Sequence, residues 1–204
     1  MTNRNFYPFF ITLVLSIVFF IIYIFLARKG IILSLEPNES IGDISRWCER
    51  VSGGIFREPS NALSNIGFMI LGLLMFWILA KDIKSNTSNQ FTGLNSISIL
   101  YAGAALFLGP GSLLMHGTHT EWGEWADNLS MIMYIIIPWL LNIKEMGRWS
   151  LKIFFSSYFI IVFIYAFELT CTFWIMLVYI FERINFATYK IFKRTRCSMN
   201  SYFL

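Results

Sequence analysis

A series of apolar blocks of about 20 residues, separated by short polar segments, limits the folds open to this chain. At a rise of 1.5 Å per residue, such a block forms a helix of about 30 Å, which is the thickness of the hydrocarbon core of a bilayer. Hydrophobic residues make up 56% of the sequence and charged residues only 14%, and a soluble core of this size needs no such excess. The sequence therefore predicts an all-α, polytopic transmembrane helix bundle, and hence an integral, multi-pass membrane protein.

The apolar blocks predict about five spans. We interpret the first, over 8–27, as a retained anchor, because it is long for a signal peptide and no small-residue cleavage pattern follows it. The third contains Gly109-Pro110-Gly111, which we expect to kink or break the helix because proline removes a backbone hydrogen bond. The later spans are predicted near 60–80, 94–115, 126–141 and 151–181.

The polar segments divide the chain into an anchor helix over 1–29, a polar loop over 30–59, a helical bundle over 60–181 and a basic tail over 182–204. The net charge is +4, and the Lys and Arg residues lie between the apolar blocks. This placement predicts basic loops at a membrane surface and no nucleic-acid partner. The distribution of Lys and Arg favours an outside N-terminus and an inside tail. Three scattered cysteines indicate neither a disulfide framework nor a CxxC metal knuckle.

Polar residues that could bind a metal or take part in catalysis lie together at one end of the predicted bundle. Antiparallel threading puts the loop before the second span on the same membrane face as the end of the third, so Glu58 shares that face with His116. Ser112 and His116 are four residues apart and project from one helix face, and Asp127 begins the next span. A hydroxyl, an imidazole and a carboxylate could bind a metal, activate a water or form a nucleophile pair.

Ordinary structural roles are open for the same residues. Ser112 could bond back to a helix carbonyl, His116 could lie in the headgroup zone, and Asp127 could be an N-cap. We expect His119 to be exposed, because Gly117 and the Thr-rich turn after it disfavour a continued helix. Glu168, in the last apolar block, is either a functional ionisable group in hydrocarbon or an interfacial residue.

Three motifs, spread over residues 46–141, carry a family resemblance. They are Trp47-Cys48-Glu49, then Glu58-Pro59-Ser60-Asn61-Ala62-Leu63-Ser64-Asn65, then Gly111-Ser112-x-x-x-His116 followed eleven residues later by Asp127. In order and spacing they resemble the alkaline ceramidase family, seven-helix membrane amidases of a superfamily that includes adiponectin-type receptors. The resemblance implies hydrolysis of the amide bond of ceramide, or of a related N-acyl lipid, by a zinc-activated water.

The resemblance also implies roles for individual residues. His116 matches a zinc ligand, Ser112 a donor to the oxyanion, and Asp127 the group that orients the water or takes its proton. The family's other two zinc ligands form an H-x-x-x-H pair on the last helix, and this sequence has no histidine beyond Asp127. Since a catalytic zinc needs about three protein donors, we expect the complete site not to form from this chain. With about five spans for the family's seven, the chain is expected to be either truncated or frame-shifted near 168–171, or a copy that has lost catalysis.

A calcium site is the second metal centre that the resemblance implies. Trp47, through its carbonyl, Glu49 and Glu58 match three of its ligands, whereas Arg46 stands where the family usually has an acid. Two carboxylates beside arginines predict a weak calcium site. The alternative for the two glutamates is ion pairing with Arg46, Arg50 or Arg57.

Two functions are therefore open at this point. One is a zinc-dependent, ceramidase-like membrane hydrolase of sphingolipid metabolism, whose partners are the membrane and a lipid substrate. The other is a catalytically inactive membrane protein of the same fold with a lipid-binding or scaffold role. The two functions differ in whether the protein has the H-x-x-x-H pair of zinc ligands, which the hydrolase requires.

Overall fold

The computed structural model describes residues 3–37, 44–45, 47–82 and 91–167. Over these residues the chain is helical, and an isolated β-bridge between Ile44 and Arg50 is the one strand-like pairing there. The prediction of an all-α fold is confirmed. The helices are α1 Tyr7–Arg28, α2 Ile31–Ser34, α3 Pro59–Ser64, α4 Ile66–Lys81, α5 Ser96–Thr118, α6 Glu121–Gly147 and α7 Leu151–Ala166.

Four helical segments are long and apolar enough to cross a membrane. They are α1, the continuous segment Pro59–Lys81 that contains α3 and α4, and the long helices α5 and α6. The apolar helix α7 has 16 residues and is shorter than a full span. The predicted block over 151–181 is described only to Phe167, and Glu168 lies outside the described residues. The predicted bundle of apolar helices is thus confirmed.

Local capping chemistry sets where α5 and α6 begin. The Asn95 side chain accepts the backbone N–H groups of Ile97 and Ser98, and the Ser98 hydroxyl in turn accepts the Asn95 N–H, which is a complete capping box. Thr120 Oγ1 accepts the Gly123 N–H at 3.3 Å and starts α6. The helix that contains the predicted span over 126–141 therefore begins at Glu121, before the apolar block itself.

Helix α5 makes its most extensive contacts with α4 on one side and α6 on the other. It runs unbroken through Pro110 to Thr118, so the expected break at this proline is absent. The glycines on either side of Pro110 explain this. A Cβ on Gly109 would lie 2.9 Å from the Asn65 carbonyl oxygen, and one on Gly111 would lie 2.8 Å from that of Ala126. Because both neighbouring helices approach so closely, packing supports a continuous α5 across the missing hydrogen bond.

Two buried clusters lie towards opposite ends of α5. One joins α5 to α6 and α7 and includes Ile97, Ile137 and Phe154. The other surrounds Leu113 and joins α5 to α1, α2 and α3; its buried members are Tyr23, Ala27, Ile32, Ala62 and Leu113. The second cluster places the N-terminal helices beside the end of α5 that carries the histidines.

Candidate functional site

The end of α5 is covered by the segment 47–58, which we call the site loop. The N–H of Glu58 donates to the His116 carbonyl at 3.0 Å, and the N–H of Arg57 donates to the Gly117 carbonyl at 3.1 Å. Carbonyls in the last turn of a helix have no intrahelical donor, so the loop supplies partners that the helix end lacks. This backbone pairing places Glu58 directly beside the histidines.

The Glu58 carboxylate is fully buried and is shared by both imidazoles of the chain. Its Oε2 lies 2.5 Å from His116 Nδ1 and accepts the Asn61 side-chain amide at 3.0 Å. Its Oε1 lies 2.7 Å from His119 Nε2. One carboxylate thus joins the last turn of α5 to the residue that caps the same helix.

Hydrogen bonding decides the charge of this carboxylate. Burial by itself would raise the pKa of Glu58, but hydrogen bonds from His116, His119, Ser45 and Asn61 outweigh burial and hold that pKa well below its usual range. Glu58 is therefore ionised at neutral pH. An ionised carboxylate is an acceptor only, so each ring nitrogen that faces it donates an N–H.

The expectation that His119 is exposed is wrong. His119 is only 7% exposed, because it caps α5 with a left-handed backbone (φ 51°) that turns the chain while its N–H still bonds the Met115 carbonyl. The helix does end just after Gly117, as the sequence predicts. A residue beyond a helix end can nevertheless reach a buried acceptor. The predicted position of Glu58 at the same end of the bundle as both histidines could have indicated that His119 is buried.

The other loop residues predicted as site residues, Glu49 and Trp47, contact neighbours of Glu58. The Glu49 carboxylate accepts the N–H groups of Ser60 at 2.6 Å and Asn61 at 2.8 Å, and so caps the first turn of α3. The Trp47 ring meets His116 edge-on, with centroids 5.8 Å apart. Cys48 is disulfide-bonded, which the odd number of cysteines did not indicate.

The N-terminal helices close this end of the bundle. Tyr23 of α1 stacks on Phe56 of the site loop, with ring centroids 5.1 Å apart, and its hydroxyl donates to the Ile55 carbonyl at 3.2 Å. Arg57 is buried, which lowers its pKa, and its Nη2 donates to the Leu35 carbonyl at 2.6 Å. These contacts fasten the site loop to α1 and to the residue that follows α2.

Ser112 and Asp127 lie on the two helices that meet beside His116. Ser112 is one turn before His116 on α5, and Asp127 is in the second turn of α6. The helices touch next to both residues, because Gly111 packs against Ser130 and Ala126. Asp127 is not an N-cap, since Thr120 caps α6. That the side chains of Ser112, His116 and Asp127 converge stays a prediction.

The described residues do not fit either implied metal. Within the described ranges, no three His, Cys, Asp or Glu side chains are grouped so as to hold a metal ion. Each Glu58 oxygen faces an imidazole nitrogen, and each Glu49 oxygen accepts a backbone N–H. A calcium ion would have to displace these donors from both carboxylates. Of the zinc ligands that the resemblance implies, the described residues contain His116 alone.

A family model described as Ceramidase matches residues 44–201, which is well over half of the chain and includes the whole site loop and both histidines. The match begins after α2, so α1 and α2 precede it. No curated protein and no solved structure matches the chain.

Proposed function

Because the chain belongs to the ceramidase family, we propose that it is a multi-pass membrane hydrolase that cleaves the amide bond of ceramide or of a related N-acyl lipid. The observation that carries the proposal is the contact between the buried Glu58 carboxylate and the partly exposed His116 at the end of α5, one turn from Ser112 and beside the helix of Asp127. The helices around this pair are long and apolar enough to span a bilayer. An amide embedded in lipid would reach such a site without leaving the membrane.

The roles of the three residues follow from their chemistry. Water attacks the amide carbonyl carbon, and the carbonyl oxygen takes up negative charge. Ser112 Oγ donates a hydrogen bond to that oxygen, while Asp127 accepts the proton of the attacking water. His116, held by Glu58 through Nδ1, presents its other nitrogen as a base or a ligand. The C–N bond of the amide then breaks, the proton held by Asp127 passes to the leaving amine nitrogen, and the products are a long-chain base and a fatty acid.

Zinc would supply Lewis-acid polarisation of the carbonyl and a more acidic bound water. Since the described residues do not fit a zinc site, no step above depends on it. Any further donors would have to come from outside the described residues or from another molecule.

A second candidate function is lipid binding without hydrolysis. It is favoured by the fact that both imidazoles of the chain are bonded to one carboxylate, which leaves fewer groups for catalysis. Such a protein would keep the bundle and its affinity for a ceramide-like lipid.

A fluorescent-ceramide assay on detergent-purified protein separates the two candidates. Hydrolysis predicts release of labelled fatty acid that is lost in His116→Ala and reduced in Ser112→Ala and Asp127→Asn. The second candidate predicts retained binding of the labelled lipid, measured by fluorescence anisotropy, with no release in any variant. Absence of both binding and release would contradict both.

A further inference from the structure

We propose that Glu58 is the positioning residue for the His116 imidazole and that His119 is a second arm that holds Glu58 in place. The inference deepens the proposed function, on which its catalytic consequence rests. It also gives Glu58 a role different from the calcium ligand that the family resemblance implies.

The geometry leaves little freedom to this carboxylate. Glu58 has no exposed side-chain surface, and three side-chain nitrogens, from His116, His119 and Asn61, lie within 3.0 Å of its two oxygens. Its backbone is held as well, because its N–H bonds the His116 carbonyl and its own carbonyl accepts the Ala62 N–H of α3. Glu58 is thereby fixed with respect to both α3 and α5, as a positioning group must be.

The two rings use different nitrogens to reach the carboxylate. His116 Nδ1 faces one carboxylate oxygen and His119 Nε2 faces the other, so this geometry assigns a donated ring proton to His116 Nδ1 and another to His119 Nε2. Neutral rings in this arrangement are opposite tautomers. In the neutral ring, His116 Nε2 carries the lone pair, and the His116 side chain is 14% exposed, so this nitrogen is the one presented to a substrate or ligand.

The roles of the two histidines consequently differ. His116 lies one turn from Ser112 on the helix that faces α6, whereas His119 lies beyond the helix end. His119 occupies the second carboxylate oxygen and so keeps Glu58 from rotating away from His116. Removing His119 would loosen the pair without removing any group that touches the substrate.

Nuclear magnetic resonance of ¹⁵N-histidine-labelled protein tests this directly. The chain has two histidines, so the spectrum contains two imidazole ring systems, assigned with His119→Gln. Recorded at a pH at which both rings are neutral, the wild type should show His116 protonated on Nδ1 only and His119 protonated on Nε2 only. His116 protonated on Nε2, or two rings exchanging freely between tautomers, would overturn the proposal without any variant of Glu58.

Glu58→Gln then tests the carboxylate itself. This substitution keeps the shape but replaces one acceptor oxygen with an NH₂ donor, which cannot accept an imidazole N–H. At least one ring must then either carry its proton on the other nitrogen or lose its hydrogen bond to residue 58, so the ¹⁵N signals should shift. The matched control is Glu121→Gln, which removes an exposed carboxylate at the start of α6 and should leave both rings unchanged. An unchanged spectrum in Glu58→Gln would overturn the proposal.

The ring spectrum and the hydrolysis assay can fail independently. We expect Glu58→Gln to lower ceramide hydrolysis by about 10–100-fold, the usual cost of losing a group that orients a functional imidazole. If the wild type shows the predicted tautomers and no hydrolysis, the proposed function fails while the positioning role holds. If hydrolysis occurs and the ¹⁵N signals of both rings are unchanged in Glu58→Gln, the positioning role fails and the proposed function holds. Calcium added to the wild type should leave the ¹⁵N signals of both rings unchanged. A shift of both signals would show that Glu58 is a cation ligand.

Discussion

Replacement of Gly111 by alanine tests whether close contact between α5 and α6 sets the geometry beside Ser112. A Cβ at this position would lie 2.5 Å from Ser130 Oγ, 2.7 Å from Ser130 Cβ and 2.8 Å from the Ala126 carbonyl oxygen. Non-bonded heavy atoms reach their best separation at about 3.5–4.0 Å, so α6 or the Ser130 side chain must shift. Gly103 lies on the same helix, and a Cβ added there would meet no neighbouring element within 4 Å, which makes Gly103→Ala a matched control.

Two opposing free-energy terms set the size of the effect. Either substitution favours the helix by about 1 kcal/mol, because alanine has the higher helix propensity. Only Gly111→Ala also overpacks the interface, at a cost of about 1–3 kcal/mol. The propensity term cancels in the comparison, so Gly111→Ala should be less stable than Gly103→Ala by about 1–3 kcal/mol.

The measurement is reversible unfolding of the detergent-solubilised protein by added SDS, followed by circular dichroism. Gly103→Ala should unfold at or above the wild-type midpoint and Gly111→Ala below that of Gly103→Ala. Under the proposed function, Gly111→Ala should also lower ceramide hydrolysis, because it moves the helix of Asp127 away from that of Ser112. Equal stability of the two variants would show that the α5–α6 approach is looser than the structure has it.

Other contacts at the site can be tested in the same way. Tyr23→Phe removes the hydrogen bond to the Ile55 carbonyl and should destabilise the protein by about 0.5–1.5 kcal/mol in the same SDS assay, whereas an unchanged midpoint would show that α1 does not hold the site loop. Because the pKa of Glu58 is lower in the folded protein than its ordinary 4.5, its stabilising contribution is present above pH 4.5 and is lost as the pH falls below it. The unfolding free energy of the wild type should therefore drop more steeply below pH 4.5 than that of Glu58→Gln, and parallel curves would argue against the ionised pair. Metal analysis should find well under one zinc per purified chain, and stoichiometric zinc that disappears in His116→Ala would contradict the ligand count.

The segment before the family match contributes to the site although it supplies no candidate catalytic group. The match begins at residue 44, yet Tyr23 and Leu35 lie before it and both bond the site loop. The loop in turn carries Glu58 to the histidines. The N-terminal helices thus act on the site through the loop, which is why Tyr23→Phe tests their role.

The fold class, and the end of the bundle where the site lies, could both be predicted from the order of residues along the chain. Long apolar blocks admit little besides membrane-spanning helices, because backbone polar groups in hydrocarbon must bond within their own segment. The antiparallel order of the spans then placed Glu58 and His116 at one end, and their contact at 2.5 Å confirms it. Both inferences depend on periodicity and length, which are local properties of a sequence.

The partners that the polar residues take could not be predicted in this way, because they depend on how the helices pack. Whether Glu58 faces an arginine, a cation or an imidazole depends on the pairing of the site loop with the carbonyls at the end of α5, which no spacing encodes. The burial of His119 depends on the left-handed backbone of a single residue, and the continuity of α5 through Pro110 depends on how closely α4 and α6 approach its glycines. These outcomes are set by contacts between segments far apart in the chain, and such contacts form only when the helices come together.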